Sequence, residues 1–189
     1  LEIDEEGVEH RILGWGNDRF FNCELNEDMI SIIIKDGDKS KFSVEKASKQ
    51  PNADIKVGVI NGIPSGHHYS EAPYYYKHKL ANGNNRYYMF FAYDWREQMA
   101  YAYCDNLKDF LNNEWTFGDV VMEPSATANT NHMAVFDFKN HTYFVYHDGS
   151  LPHGSGYRRV ACVEEFKVND DGSIPYIKKT AIGLKGTVL

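Results

Sequence analysis

The sequence predicts an all-β fold in which small antiparallel sheets repeat as the blades of a β-propeller. Aromatic residues are abundant, with 13 Tyr and 11 Phe against 3 Trp, and tyrosine and phenylalanine favour pleated sheets. The apolar residues fall in short aromatic or β-branched runs bounded by Gly, Asn and Asp, which is typical of antiparallel strands joined by turns. One kind of segment also recurs every ~60–75 residues, and such recurrence is typical of stacked blades.

Three units carry this repeat. The first starts at Asp4 and reads DEEGVEHRILGWG, then DRFFNCEL; the second starts at Tyr74 with YYYKHKLANGNNRYYMFFAY, then EQMAYAYCDNL; the third starts at Met133 with MAVFDFKNHTYFVYH, then YRRVACVEEF. Each unit predicts a strand, a polar tip, an aromatic-rich strand and a third strand, although the first unit keeps only the end of its first strand. An ordinary β-sandwich of the same strands is the alternative, and the internal similarity favours the propeller.

The rest of the chain adds few elements. A single short helix is predicted near Asp105 to Asn112 (DNLKDFLN). The stretch from Asp36 to Ser65, which is rich in Lys, Asp, Gly, Ser and Pro, indicates long loops with one weak strand. Because the strand pattern is of one kind on both sides of that stretch, we expect residues 1–189 to form a single β-propeller domain.

Composition excludes several classes of protein. A chain of 189 residues suits one domain. Its 20 Lys+Arg against 27 Asp+Glu give a formal charge of −7 without a basic cluster, which argues against a nucleic-acid partner. The longest apolar run, Tyr87 to Tyr93, is far shorter than the ~20 residues of a membrane-spanning helix. The start, LEIDEEGVEH, lacks both an initiator Met and a signal peptide, so it indicates no compartment.

The cysteines and histidines do not form a recognisable metal motif. Cys23, Cys104 and Cys162 fall at matching places in the third strand of each unit, and none belongs to a CxxC pair. We therefore expect reduced, buried packing residues rather than disulfides or a zinc site. The eight histidines lack the HExxH frame of a metalloprotease, and surface and loop positions are the simpler interpretation.

Two residues at equivalent positions of the repeat are candidates for chemistry. Glu71, in YSEAPYYY, directly precedes the first strand of the second unit, where aromatic neighbours and Pro73 leave its carboxyl poorly solvated. Poor solvation raises a carboxyl pKa and suits a general acid, although a lone glutamate at this place is also typical of a rim residue. His132, in NTNHMAVFDF, opens the first strand of the third unit. Since the innermost strands of a propeller start near its axis, we expect Glu71 and His132 to converge on one central site.

Arg159, in YRRVACVEEF, is a third candidate, because a guanidinium offers a fixed positive fork for hydroxyls or a carboxylate. An exposed strand arginine is the alternative interpretation. It suits the neighbour Arg158 better, since adjacent strand residues face opposite ways.

Several motifs together resemble a known family. They are IDEEG, GWGN and LNEDM in the first unit, EAPYYYK, RYYMFFAY and EQMAYA in the second, and TNHMAVFDFKNHTYFVYHDGSLPHGSGYRRVACVEEFKVNDDGSIP, the most specific, in the third. From Ile3 to about Gly183 the chain resembles the C-terminal three-fifths of a glycoside hydrolase family 43 catalytic domain. That domain is the five-bladed propeller of β-xylosidases and α-L-arabinofuranosidases, so the resemblance implies a domain truncated at its N-terminus.

The resemblance implies roles for five residues of this sequence. Glu71 matches the glutamate of the family's E-[AG]-P motif and would be the general acid. His132 matches an axial histidine that in relatives helps to hold a calcium ion or a water network, which implies a structural calcium and no required cofactor. Arg159 matches the arginine of the sugar-binding pocket. Trp95 and Glu97, in the DWREQ segment, match a loop that borders the substrate.

The sequence departs from the family in two ways. Met133 stands where a second histidine is common. Family enzymes also work by inversion with an aspartate base, the glutamate acid and a further aspartate that tunes the acid; inverting carboxyl pairs stand roughly 6.5–9.5 Å apart. Both aspartates belong upstream of a turn that corresponds here to Asp4–Gly7 (DEEG), so the resemblance implies that they precede Leu1.

The function that this resemblance implies is a glycosidase that removes xylose or arabinose from plant cell-wall oligosaccharides (xylan, arabinoxylan or arabinan fragments). The alternative is a catalytically impaired or carbohydrate-binding propeller that lacks the aspartate base. A protein-interaction propeller is a more remote interpretation, because it needs no carboxyl aimed at its axis. The choice between xylosidase and arabinofuranosidase depends on loop shapes and stays open.

The blade count also predicts association. Three units account for nearly all 189 residues, whereas a five-bladed ring of ~60-residue blades needs about 300. Uncovered blade faces would be larger apolar patches than soluble monomers usually expose. We therefore expect either a homo-oligomer that completes the ring or a separate N-terminal segment that supplies the missing blades.

Overall fold

A computed structural model describes residues 2–5, 7–33, 54–127 and 130–180 of the chain. Within these ranges there are twelve β-strands and one short α-helix. In chain order they are β1 (Glu2–Glu5), β2 (Val8–Asn17), β3 (Arg19–Glu24), β4 (Lys56–Val57), β5 (Val59–Asn61), β6 (Tyr69–Lys79), β7 (Asn85–Tyr93), β8 (Gln98–Cys104), α1 (Leu107–Asn112), β9 (Glu114–Met122), β10 (Met133–Phe138), β11 (His141–Asp148) and β12 (Val160–Phe166). None of the described helical residues forms a helix long and apolar enough to cross a membrane.

Blade 1 consists of β1 to β4, hydrogen-bonded in the order β1–β2–β3–β4. The β2–β3 hairpin closes where Asn17 pairs with Arg19, and Asp18 between them has a φ of 59°. Aspartate tolerates this left-handed conformation better than most L-residues, so the short turn suits its sequence. The blade therefore presents the turn at Asp18 at one end of its central hairpin.

Blade 2 is the antiparallel sheet β6–β7–β8–β9, to which β5 adds a parallel strand beside β9. The helix α1 connects β8 to β9. It begins after Asn106, whose side chain accepts a hydrogen bond from the Asp109 N–H, and it ends at Asn113, which has a φ of 62°. Asparagine is a favoured residue at both kinds of helix cap.

Blade 3 is a separate sheet with the order β10–β11–β12. The tip between β10 and β11 consists of Lys139 and Asn140, which have φ values of 49° and 66°. Positive φ at both central residues is the geometry of a two-residue type I′ hairpin turn. The polar tip predicted for the third unit is thus a tight turn.

The core lies on the two faces of blade 2. Strand β7 is buried along most of its length, and its side chains alternate between the faces. Met89 and Phe91 point to one face, in a cluster that includes Phe20 of blade 1. Phe90 points to the other face, where its ring centroid lies 5.7 Å from that of Phe144 in blade 3. Blade 2 is therefore held between its two neighbours.

The antiparallel blades confirm the predicted all-β fold, with three differences in detail. The fourth strand of blade 2, β9, was not part of the predicted repeat. The stretch from Asp36 to Ser65 contains two short strands, β4 and β5, instead of one, and its residues up to 53 lie outside the described ranges. The helix begins at Leu107, two residues later than expected. The single domain and the completion of a ring by further copies stay predictions.

All three cysteines are free thiols in the third strand of their blades, as expected. Cys23 and Cys104 are buried, but Cys162 is only half-buried, so the expectation of three buried thiols is wrong for that residue. Their positions in the strand register also differ. Cys23 pairs with Leu13 in the middle of β2, whereas Cys104 pairs with Tyr87 near the start of β7. The cysteines share a strand of the repeat and not one fixed position in it.

Thiol reagents should distinguish these cysteines in the native protein. Burial raises the pKa of Cys23 to about 12 and raises that of Cys104 further. Because the thiolate is the reacting species, we expect Cys162 to react first and the other two to react only as the protein unfolds. Mass spectrometry after timed alkylation measures this, with Cys162→Ser as the control that removes the fast phase. Rapid modification of all three thiols in the native protein would contradict the burial of Cys23 and Cys104.

Trp115 should be a main support of the core on the face of blade 2 that belongs to one cluster with Phe20 of blade 1. It is 1% exposed, its ring is stacked 5.6 Å from that of Tyr75, and its Nε1 donates to Asn113 at 2.8 Å. We expect Trp115→Ala to lower the free energy of unfolding by about 3–5 kcal/mol, because it leaves a cavity and an unpaired amide. Urea denaturation measures this loss. Trp95→Ala is the matched control: Trp95 is 78% exposed, so its loss should change stability by less than about 0.5 kcal/mol.

Candidate active site

Glu71 lies on an irregular part of β6. It is the third residue of the strand, and the register with β7 shifts on both sides of it. Ala72 has a φ of 60°, and Pro73 has no N–H to donate to the ladder. Irregularities of this kind bend a strand and re-aim a side chain. The expectation that Glu71 precedes the strand is wrong, because the irregular residues still pair with β7 and, opposite Asn17, with β2.

Glu97 comes from the turn between β7 and β8 and is buried, with 7% exposure. The turn has positive φ at Asp94, Arg96 and Glu97 itself, with values of 59°, 60° and 32°. Asn131 donates two hydrogen bonds to Glu97. Its backbone N–H donates to Glu97 Oε2 at 2.6 Å, and its Nδ2 donates to the Glu97 backbone carbonyl at 2.5 Å. A buried carboxyl on a surface turn is thereby tied to the segment that leads into β10.

His132 follows Asn131 directly and precedes β10. Its backbone N–H donates to Nε2 of His147 in β11 at 3.1 Å, and the two imidazole rings lie 5.6 Å apart. Since Nε2 of His147 accepts this bond, the proton of that neutral ring is on Nδ1. Burial, followed by the charges of Arg159 and His132, lowers the pKa of His147, which agrees with a neutral ring.

Arg159 stands just before β12 and reaches back across blade 3. Its Nη1 donates to Thr130 Oγ1 at 2.5 Å and lies 3.3 Å from His147 Nε2. Both hydrogen bonds aim the guanidinium at the segment that holds Glu97 and His132. Trp95 is placed differently, since its side chain is 78% exposed at the outer part of the turn that carries Glu97.

Glu71, Glu97 and His132 form a compact group, here named the carboxyl cluster. One side-chain oxygen or nitrogen of each lies within 4.8 Å of the others, and His132 Nε2 is 3.5 Å from Glu71 Oε1. Asn17 at the end of β2 adds a hydrogen bond to Glu71. The structure therefore brings Glu71 and His132 together, with groups from all three blades around them.

The two carboxyls of the cluster have opposite pKa shifts. Burial, together with the hydrogen bond and the charge of Glu71, raises the pKa of Glu97 to about 7. Burial also acts to raise the pKa of Glu71, but hydrogen bonds from Glu97, His132 and Asn17 outweigh it and hold that pKa below its usual value. The expectation of a raised Glu71 pKa is therefore wrong, because the neighbours that stabilise its charged form were not visible in the sequence. The pair holds one proton near neutral pH, and Glu97 carries it.

The cluster does not offer the donors that calcium prefers. Calcium takes about six to eight oxygen ligands, whereas the cluster offers two carboxyls that already share a hydrogen bond, and one imidazole. The charge of Arg159 also acts on Glu97 and opposes a cation there. A calcium ion held through water at His132 stays a prediction that these residues do not favour.

A cleft of about 380 Å³ adjoins β6 just before Glu71. Its lining includes Asp18 and Arg19 of the blade 1 turn and His68 of the segment before β6. The Asp18 N–H donates to the Ser70 carbonyl at 2.7 Å, which ties the blade 1 turn to the residue next to Glu71. Glu71, Glu97 and His132 do not line this cleft, and its lining ends at Tyr69, two residues before Glu71.

Solved structures with the same fold are glycoside hydrolases. An α-L-arabinofuranosidase from Clostridium thermocellum matches with a TM-score of 0.60 and 22% identity, over 97% of this chain and 53% of its own. An arabinoxylan arabinofuranohydrolase of glycoside hydrolase family 43 from Bacillus subtilis matches with a TM-score of 0.62 and 18% identity, over 96% and 37%. A family 43 enzyme from Xanthomonas citri matches with a TM-score of 0.60 and 21% identity, over 84% and 41%.

These likenesses define the class of fold. The chain has the fold of part of a family 43 propeller, and it spans only 37–53% of the length of the three proteins named. No protein-family model matches the chain, and no curated protein matches it. At these identities the likeness establishes the fold and leaves the activity to be argued from the site.

Three residues around the site were not found as functional candidates from the sequence. Asn17 ends a strand of blade 1, Asn131 stands next to His132, and His147 lies in the FVYHDG part of β11. The TNH and FxYH motifs contain the last two, so their motif positions were the available signal. Their roles depend on hydrogen bonds to residues that are distant in the sequence, which no pattern of residue types shows.

The raised pKa of Glu97 predicts a pH-dependent stability. The folded protein keeps a proton on Glu97 up to about pH 7, whereas an unfolded chain loses it near the ordinary value of 4.5. The free energy of unfolding should therefore fall as the pH rises between these values, by about 1–3 kcal/mol. Urea denaturation across this range measures the fall. It should disappear in Glu97→Gln and persist in Glu114→Gln, which changes an exposed glutamate of β9. An unchanged fall in Glu97→Gln would contradict a protonated Glu97.

Proposed function

We propose that the protein is a glycoside hydrolase that acts on xylose- or arabinose-containing oligosaccharides of the plant cell wall by an inverting mechanism, with Glu71 as the general acid. The observation that carries this proposal is the carboxyl cluster where the three blades meet, on a fold shared with family 43 enzymes. One carboxyl of the cluster is partly exposed and the other is a buried neighbour, which is an arrangement suited to delivering a proton to a bound ligand.

The other candidate residues have distinct roles in this proposal. Arg159 donates hydrogen bonds to sugar hydroxyls from its position beside His147. The exposed ring of Trp95 offers an apolar face to a sugar at the rim. His132 stabilises the charged form of Glu71 once the proton has left. No cofactor takes part in these roles.

The proposed chemistry is a displacement by water. The proton that the Glu71–Glu97 pair holds passes through the Glu71 carboxyl to the glycosidic oxygen, and the electron pair of the breaking C–O bond goes to that oxygen. The water oxygen forms the new bond to the anomeric carbon from the opposite face, and the water proton goes to a base carboxylate. In this proposal the base is the aspartate that the resemblance to family 43 implies.

Glu97 does not suit the role of this base. Inverting enzymes separate acid and base by roughly 6.5–9.5 Å so that a water molecule fits between the sugar and the base. The side-chain oxygens of Glu71 and Glu97 approach within 4.8 Å and share a hydrogen bond. No sugar ring fits between two carboxyls in such contact, so Glu97 belongs to the acid side of the reaction.

The alternative is a propeller that binds carbohydrate without turnover. It is favoured by the contact between Glu71 and Glu97, because these two carboxyls lie too close together to act as an inverting acid–base pair. Oligosaccharide is the partner in both proposals, and neither involves a membrane or nucleic acid. In either case we expect a homo-oligomer or a complementary N-terminal segment to complete the ring.

Replacement of Glu71 tests the proposed acid. We expect Glu71→Gln to lower kcat on xylobiose by about 10²–10⁴-fold, the usual contribution of a general acid. The loss should be smaller on p-nitrophenyl β-xyloside or α-L-arabinofuranoside, because nitrophenolate leaves with little protonation. Glu165→Gln, which changes a glutamate paired with His141 in blade 3, is the control and should keep full activity.

The same assay separates the two proposals. Sugar binding measured by calorimetry, without turnover by the unmodified chain, would support the carbohydrate-binding alternative. Turnover of xylobiose that survives in Glu71→Gln would show that another residue is the acid.

A further inference from the structure

We propose that Glu97 is a positioning residue for Glu71, which fixes the Glu71 carboxyl and keeps the one proton of the pair beside it. The inference rests on the proposed function, since it affects catalysis only where Glu71 is the general acid. It gives Glu97 a different role from that of a loop residue that borders the substrate.

The first support is the way in which Glu97 is held. Its Oε2 accepts a hydrogen bond of 2.6 Å from the Asn131 N–H, and its carbonyl accepts one of 2.5 Å from the Asn131 side chain. Asn131 itself is fully buried. Because the backbone engages Oε2, the Glu97 carboxyl is held in one orientation where it shares a hydrogen bond with Glu71.

The second support is the charge balance of the cluster. Two carboxylates within 4.8 Å of each other, one of them 7% exposed, cannot both ionise without a large cost. The titratable and charged groups around the pair are Tyr69, His132, His147 and Arg159. Arg159 and the Asn131 N–H stabilise negative charge on Glu97 at the moment when the proton moves to Glu71.

The third support is that a purely structural role would not need a carboxyl. A glutamine at this position would accept the same bond from Asn131 and donate the same bond to Glu71. It would keep the geometry of the turn but could not give up a proton. Glu97→Gln therefore separates proton sharing from packing, and Glu97→Ala removes both.

Kinetics over a range of pH test the inference on the full chain. For Glu97→Gln we expect an unchanged KM within about threefold, a loss of about tenfold or more in kcat on xylobiose at pH 7, and an alkaline limb moved about one pH unit lower. The reason is that Glu71 alone keeps its proton less well than the pair does. Glu114→Gln is the matched control. A Glu97→Gln protein with the kcat and pH profile of the unmodified chain would overturn the inference.

A spectroscopic measurement keeps the test independent of turnover. In protein labelled with ¹³C at the glutamate carboxyls, the Glu71 signal is identified by its loss in Glu71→Gln. We expect this signal to respond in two steps in the unmodified chain, the upper one near pH 7, and in a single lower step in Glu97→Gln. The same titration in both proteins would overturn the inference even for an active glycosidase. Two steps without any turnover would overturn the glycosidase proposal and leave the proton-sharing pair in place.

Discussion

The arrangement of the molecule depends on one constraint, which is that blade 2 buries both of its broad faces. Strand β7 sends Met89 and Phe91 to blade 1 and Phe90 to blade 3, so each neighbouring blade must lie against it in a fixed orientation. That double packing brings the end of β2, the start of β6 and the start of β10 to one place. Glu71, Glu97 and His132 meet there because the apolar faces are covered, and not because the polar residues attract one another: a cluster with two carboxyls is costly to assemble on its own.

The fold was predictable from the sequence where apolar patterning and turns agree. Strand β7 is a continuous aromatic run, and the Lys139–Asn140 tip is a tight turn with polar residues. Strand β9 was missed because Gly118 and Asp119 interrupt its alternation, and the structure gives the reason for the glycine. A Cβ at Gly118 would lie 2.2 Å from the ring of Tyr101 in the paired strand β8, so this position of β9 has no room for a side chain. The alternation of apolar and polar residues that identifies a strand is interrupted where a side chain of the neighbouring strand leaves room only for glycine.

The candidate site was predictable in its residues and not in its electrostatics. Equivalent positions in the repeat were enough to place Glu71 near His132, since the first strands of neighbouring blades start side by side. The direction of the Glu71 pKa was not predictable, because local solvation was the only guide and the deciding partners, Glu97 and Asn17, come from other strands. A carboxyl among aromatic residues is neutral if it is alone and charged if its neighbours donate hydrogen bonds to it. Only the register shift in β6 and the turn before β8 decide between these cases.

In the proposed glycosidase mechanism, the acid and the base depend on different parts of the structure. Every group that sets the charge of Glu71 comes from the described residues of the three blades: Asn17 from blade 1, Glu97 from blade 2 and His132 from the start of blade 3. The base must act from the opposite face of the sugar and at a greater distance, which the contact between Glu71 and Glu97 does not provide. In this proposed mechanism the charge of the acid is set by packing between blades 1, 2 and 3, whereas turnover depends on a base carboxylate on the opposite face of the bound sugar.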